Sequence, residues 1–280
     1  MEQDYKKIMY EKEELPYKIK YPKQHKTGIL LSIPHCGISF PNEIQSHFKE
    51  QKMLYPDDTD WYLEKLYDFA ASMGITVIEA VYSRWVIDLN RTPQNKNLYN
   101  DGRIITALCP TTDFLGDPLY KSREFEPGRN EVDRRLIKYY KPYHKKIDEL
   151  LEELKKEFGE VIFWDAHSIR RNVVTIQKED FPDLILGNND EATASSKIIN
   201  NALNSLRESG LEVKHNHPFK GGYLTRSKGN PQNKIHALQL EMSKDLYMSN
   251  NERNYDEKKA EEIKKILIKT FKNLITLMNE

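Results

Sequence analysis

The sequence predicts a single α/β domain with a mixed, mostly parallel sheet flanked by helices. Three observations carry this reading. Short apolar runs of strand length alternate with longer segments of helical periodicity along the 280 residues. No internal repeat or low-complexity linker divides the chain. Polar residues able to do chemistry recur where apolar runs end, and the carboxyl ends of parallel strands are where such sheets place a ligand crevice.

In chain order, residues 1–25 are charged and tyrosine-rich, with Pro16 and Pro22 as punctuation, and read as an irregular arm or a rim strand. The run from Thr27 to Ile33 is a buried strand that ends in Pro34, His35, Cys36 and Gly37. Residues 59–73 space Trp61, Leu63, Leu66, Tyr67, Phe69 and Ala70 as one face of a helix. Asp58 or Thr59 could serve as its N-cap, and Gly74 closes it. Ile75 to Tyr82 is the next strand, and Trp85 to Leu89 reads as another short one.

Residues 92–129 are rich in Pro, Gly, Asp, Asn and Thr and read as a long loop beside the active site. A long helix follows over 130–158, closed by Gly159. Val161 to Trp164 is a strand running into Asp165, Ala166, His167 and Ser168. Leu184 to Leu186 is a strand, 192–209 a helix, and 213–218 an extended segment. A basic, glycine-rich loop spans 219–230, Ile235 to Leu240 is a strand ending at Glu241, and the last 25 residues form an amphipathic helix.

Composition narrows the function. The 43 basic and 43 acidic residues cancel, which argues against a nucleic-acid or anionic-membrane binder. The first residues lack the apolar core of a secretory signal, and no apolar stretch approaches about 18 residues. Cys36 and Cys109 make neither a disulfide framework nor a metal finger, which suits a cytoplasmic protein.

The polar residues at the strand ends suggest a metal-assisted hydrolase. A catalytic zinc site takes three ligands from His, Asp or Glu and keeps one position open. His35 and His167 are candidates, with one carboxylate from Asp57, Asp58 or Asp60. An acid there also has a plain reading, as a cap or first-turn charge of the helix that follows. Glu241, next to apolar neighbours, would be desolvated toward the pKa of a general base. Arg84, Arg91, Lys220 and Arg226 surround the expected crevice, and guanidinium groups bind carboxylates as bidentate forks. Gly221 and Gly222 would let backbone approach a ligand closely. His25, His47, His215 and His217 read as solvated, His144 as packing, and His236 as a core or supporting histidine.

Together these stretches resemble the N-formylglutamate amidohydrolase family. The matches run in family order from about residue 30 to residue 248. They begin with Ser32 to Gly37, Thr59-Asp60-Trp61 and Tyr82 to Arg91. Leu108 to Pro110, Tyr140 to His144, Asp165 to Ile169 and Pro182 to Gly187 continue them. Phe219 to Arg226 and His236 to Met242 complete the set.

The resemblance implies a phosphorylase/hydrolase-like fold, similar to the zinc carboxypeptidases, in one domain over residues 1–280. It implies one Zn2+ per chain on His35, Asp60 and His167, with Asp165 orienting His167. It further implies Glu241 as base, Arg91 on a carboxylate or oxyanion, and a substrate site drawing on Arg84, Asn90, Arg91, Lys220, Gly221, Gly222 and Arg226. The expected reaction is hydrolysis of N-formyl-L-glutamate to formate and L-glutamate, the last step of one histidine-degradation route. The expected partner is a small acidic molecule, with no nucleic acid and no membrane.

Three positions depart from the family pattern: Cys36, the His215-Asn-His-Pro218 stretch, and Ser227-Lys228. If they touch the substrate side chain, the preference shifts to another N-acyl amino acid or a small peptide on the same zinc site. A metal-free binding protein is the non-enzymatic alternative.

Overall fold

The computed structural model describes residues 15–94 and 106–280. Within them a seven-stranded sheet runs in the order β1-β3-β2-β4-β7-β5-β6. The strands are β1 (Tyr17–Lys20), β2 (Ile29–Ile33), β3 (Thr76–Ala80), β4 (Val161–Ile169), β5 (Leu184–Gly187), β6 (Val213–His215) and β7 (Ile235–Ser243). β3, β2, β4 and β7 are parallel neighbours. β1 joins β3 antiparallel at one edge, and β5 joins β7 antiparallel with β6 parallel beyond it. The sheet is therefore mixed, with a parallel centre.

Side-chain alternation sorts the core into two layers, as a sheet buried on both faces requires. Leu31, Ile33, Trp164, Leu238 and Leu240 face the helices Ser196–Arg207 and Glu257–Met278. Leu30, Phe163 and Ala237 face Tyr143, Ile147, Leu150 and Leu154 of the Lys141–Phe158 helix. The C-terminal helix is capped by Asp256, whose side chain accepts from the Lys259 amide at 3.1 Å. No helix among the described residues is long and apolar enough to cross a membrane.

The structure departs from the sequence reading in instructive places. Residues 59–73 form a short helix, Leu63–Leu66, and a 3-10 turn, Ala70–Met73. Tyr62 sits at φ 61°, in the left-handed region, and so cannot lie inside a continuous helix. Trp85 to Leu89 is a series of buried turns: Val86 N bonds Ser83 O, and Arg91 N bonds Asp88 O. A short apolar run reads alike whether it is strand or buried turn. The 219–230 stretch contains a helix, Tyr223–Lys228, that starts after the two glycines.

The helix expected over 130–158 is present as Arg129–Arg135 and Lys141–Phe158, joined by a π turn at Leu136–Tyr140. Of the loop expected over 92–129, residues 95–105 lie outside the described residues, as do residues 1–14 of the arm. Of the rest, residues 106–114, Leu119 and Tyr120 are packed in, with Lys52 paired to Asp113 at 2.7 Å, while 115–118 and 121–126 are exposed.

Candidate active site

β4 and β7 stay paired over nine residues each, up to Ile169 and Ser243. β2 pairs with β4 only as far as Ser32 and Asp165. The two long strands thus run on as a shelf beyond the end of β2. Asp165, His167 and Glu241, expected past the strand ends, lie inside this shelf. Asp165 and His167 share a face of β4 by period two, as do Gln239 and Glu241 on β7. His167 and Glu241 are register partners across the pair.

His35 arrives from the loop after β2, and its carbonyl accepts the Asp60 amide at 3.0 Å. That bond, with the left-handed Tyr62, turns the Asp60 side chain toward both histidines. Asp60 Oδ2 lies 3.2 Å from His167 Nδ1 and 3.8 Å from His35 Nδ1. All three residues are buried, and their ligand atoms fall within 4.8 Å of one another. The neighbouring acids are engaged elsewhere. Asp58 accepts from Trp85 Nε1 at 2.9 Å and from the Phe114 amide, and Asp57 pairs with Arg170.

The outer ring nitrogens are held by carboxylates. His35 Nε2 is 2.8 Å from Asp88 Oδ1. His167 Nε2 is 3.2 Å from Asp165 Oδ2, with Asn90 Nδ2 at 3.0 Å. With Nε2–H given to Asp88, His35 Nδ1 presents a lone pair, yet it is buried with no hydrogen-bond partner among the described residues. A buried acceptor left open is costly, and a cation between His35, Asp60 and His167 would satisfy it. The donor set, two imidazoles and one carboxylate with carboxylates behind the imidazoles, fits a zinc-type ion.

The charges follow this geometry. Burial, helped by Arg84, keeps His35 below the ordinary imidazole pKa and so neutral. Burial opposes ionisation of Asp88, but Arg84 and His35 hold it well below the usual carboxylate range. Burial likewise opposes a proton on His167, but Asp165 and Asp60 raise it well above an ordinary imidazole. Burial pushes Glu241 up to about 8, with the Asp60 charge adding to the effect.

The expected substrate groups divide. Arg84 is buried and given to Asp88 at 2.6 Å, with its guanidinium 4.7 Å from the Phe114 ring centre. Arg91 Nη2 donates to Thr106 Oγ1 at 3.1 Å, and its Nε is 3.6 Å from Asp88. Asn90 Oδ1 accepts the Leu224 amide at 2.7 Å, which turns its amino group onto His167. Arg226 Nε donates to Gly221 O at 2.8 Å. Lys220 is half-exposed and pairs with Asp190 at 2.6 Å. Gly221 needs its φ of 102°, and Gly222 sits against the Asn90 amide.

Sequence reasoning passed over Asp88, Gln239 and Thr225. Asp88 gathers His35, Arg84 and the Asn90 amide. Gln239 Oε1 accepts the Gly222 amide at 2.7 Å, and its Nε2 faces Glu241 at 3.4 Å. Thr225 Oγ1 donates to Asp165 at 3.2 Å. Period two from Glu241 would have found Gln239. Asp88 had only its place before Asn90 and Arg91 to announce it.

The family model described as N-formylglutamate amidohydrolase matches residues 27–248. A Pseudomonas putida protein named N-formylglutamate deformylase is 36% identical over 230 residues, 82% of this chain and 85% of its own. A Pseudomonas aeruginosa protein of the same name is 37% identical over 228 residues, 81% of this chain and 84% of its own. The crystal structure of an N-formylglutamate amidohydrolase from Ralstonia eutropha JMP134 superposes with a TM-score of 0.77 at 25% identity, covering 94% of this chain and 98% of that one.

Proposed function

We infer the reaction from one premise: the chain belongs to the N-formylglutamate amidohydrolase family. We propose that it hydrolyses the amide of N-formyl-L-glutamate to formate and L-glutamate, with one Zn2+ held by His35, Asp60 and His167. The observation that carries this reading is the buried Nδ1 of His35, which has no hydrogen-bond partner among the described residues and faces Asp60 and His167. When bound, the zinc supplies Lewis acidity to the formyl carbonyl and the attacking water.

The chain's own residues do the rest. Asp88 takes the Nε2–H of His35, and Asp165 with the Asn90 amino group holds His167 at Nε2, so both Nδ1 atoms face Asp60. Glu241, desolvated beside His167, accepts a proton from water as its oxygen bonds the formyl carbon. It returns that proton to the glutamate nitrogen as the C–N bond breaks. Arg91 and Arg226 bind the two substrate carboxylates. Asn90, Lys220, Gly221 and Gly222 complete the wall of the substrate site, with Arg84 behind Asp88.

The rival substrate, another N-acyl amino acid or a small peptide, rested on the departures from the family pattern. Ser227 is exposed with its hydroxyl on Leu224 O, and Lys228 turns to Asp148. His217 is exposed as well. Among the described residues none of the three bonds His35, Asp60 or His167, so they favour no change of substrate. The test is formate release from N-formyl and N-acetyl amino acids by zinc-loaded protein, with Glu241→Gln alongside. Rapid release from N-formylglutamate alone, lost in the variant, supports the reading. Release from a different acyl amino acid keeps the site and replaces the substrate. A zinc-loaded protein that releases nothing is a binding protein.

A further inference from the structure

The irregular segment 84–91 touches both site histidines, through Asp88 on His35 and Asn90 on His167. It has no strand to hold it. Its carbonyls are gathered instead by one stretch of helix. Arg135 Nη1 donates to Val86 O at 3.0 Å, His144 Nε2 to Leu89 O at 2.8 Å, and Tyr140 Oη to Arg91 O at 2.7 Å. Arg135 is fully buried and His144 nearly so, and the Tyr140 and His144 rings stack with centroids 4.0 Å apart.

The π turn at Leu136–Tyr140 makes this possible. In an α-helix, residues five apart point about 140° away from each other. A π turn bonds i to i+5 and brings such residues toward one side. Arg135 and Tyr140 are five apart and reach the same segment. A plain α-helix through 136–140 would turn one of them away.

We propose that Arg135, Tyr140 and His144 are positioning residues, which set Asp88 and Asn90 against the two histidines through the backbone of 86–91. This inference rests on the zinc amidohydrolase reading for its kinetic consequence but not for its geometry. The helix does not touch the reacting atoms. It fixes the direction from which each imidazole is held, and so where each Nδ1 points.

Three variants test this. Tyr140→Phe removes one hydroxyl and keeps the ring stack. His144→Phe removes the donor to Leu89 O, and His144→Gln restores an N–H there. Three readouts are followed: the imidazole 15N signals of His35 and His167 in metal-free protein, the zinc dissociation constant by chelator competition, and kcat against KM. The expected result is a shifted His35 Nε2 signal in Tyr140→Phe and His144→Phe. Zinc binding should weaken about tenfold, the low end for an outer-shell partner, and kcat should fall with KM little changed. His144→Gln should recover most of each.

A lower melting temperature with unchanged imidazole signals would show that the helix only stabilises the fold and would overturn the proposal. Should His144→Phe fail to fold, Tyr140→Phe decides alone. A wild-type protein that takes up no zinc sinks the proposed function, while the imidazole signals still decide the positioning.

Discussion

Asp88 Oδ1 lies 2.8 Å from His35 Nε2, and the same carboxylate accepts from Arg84 Nη2 at 2.6 Å. One buried acid therefore fixes the tautomer of a site histidine and anchors a buried arginine. Asp88→Asn keeps the shape but removes the charge that holds both. We expect zinc affinity to fall about 10- to 100-fold, measured by chelator competition. An unchanged affinity would mean that Asp88 serves Arg84 alone.

Asp60 and Asp58 separate cleanly. Asp60 faces both Nδ1 atoms, whereas Asp58 spends its oxygens on Trp85 Nε1 and the Phe114 amide. Asp60→Asn should abolish tight zinc binding and leave the melting temperature of metal-free protein near wild type. Asp58→Asn turns an amino group toward a buried donor, so it should cost about 1–3 kcal/mol of stability while zinc still binds. Calorimetry and metal titration on both variants check this, and the opposite pattern would exchange the two roles.

His144 makes acid stability a test of its own environment. Burial lowers it to about 3, and Lys228 is the charged group that adds to this. The Tyr140, Tyr143 and Tyr223 rings pack around it, and its carbonyl partner is Leu89. The ordinary imidazole value is 6.5. Between 6.5 and 3 the unfolded chain binds a proton that the folded chain refuses. Stability is thus full above 6.5 and drains away as pH falls toward 3, by an amount on the order of a few kcal/mol. Urea midpoints of wild type and His144→Gln should converge as pH drops from 7 to 4. Parallel curves would mean that His144 titrates normally.

The sequence made the alternation of strands and helices legible because each buried strand is a dense apolar run and each amphipathic helix a wide apolar stripe. The two histidines of the candidate site were legible because His35 and His167 follow such runs directly. What stayed hidden is set by backbone geometry. Nothing in the 59–73 periodicity announces that Tyr62 breaks the helix to aim Asp60. Nothing in the apolar string from Trp85 to Leu89 announces a turn. The role of Asp88 exists only once that turn forms, since the turn brings it under His35. Likewise the helical spacing over 130–158 suits an α-helix, and the π turn within it follows from what Arg135 and Tyr140 reach across the fold.

Gly222 offers the last test, because it separates crowding from fold. A Cβ there would lie 2.3 Å from Asn90 Nδ2 and 2.5 Å from its Oδ1. The Gly222 φ of −84° suits any residue, so the demand is for space. Gly222→Ala must push the Asn90 amide away from Leu224 N and from His167. Displacements near 1 Å at a reacting site cost up to about 100-fold, so kcat/KM should fall by about 10- to 100-fold with the fold kept. If the effect runs through Asn90, then Asn90→Ala combined with Gly222→Ala should cost no more than Asn90→Ala alone, since mutations sharing one contact are not additive. Losses that add in full would place the role of Gly222 in its own amide, which donates to Gln239 at 2.7 Å, and would remove Asn90 from the account.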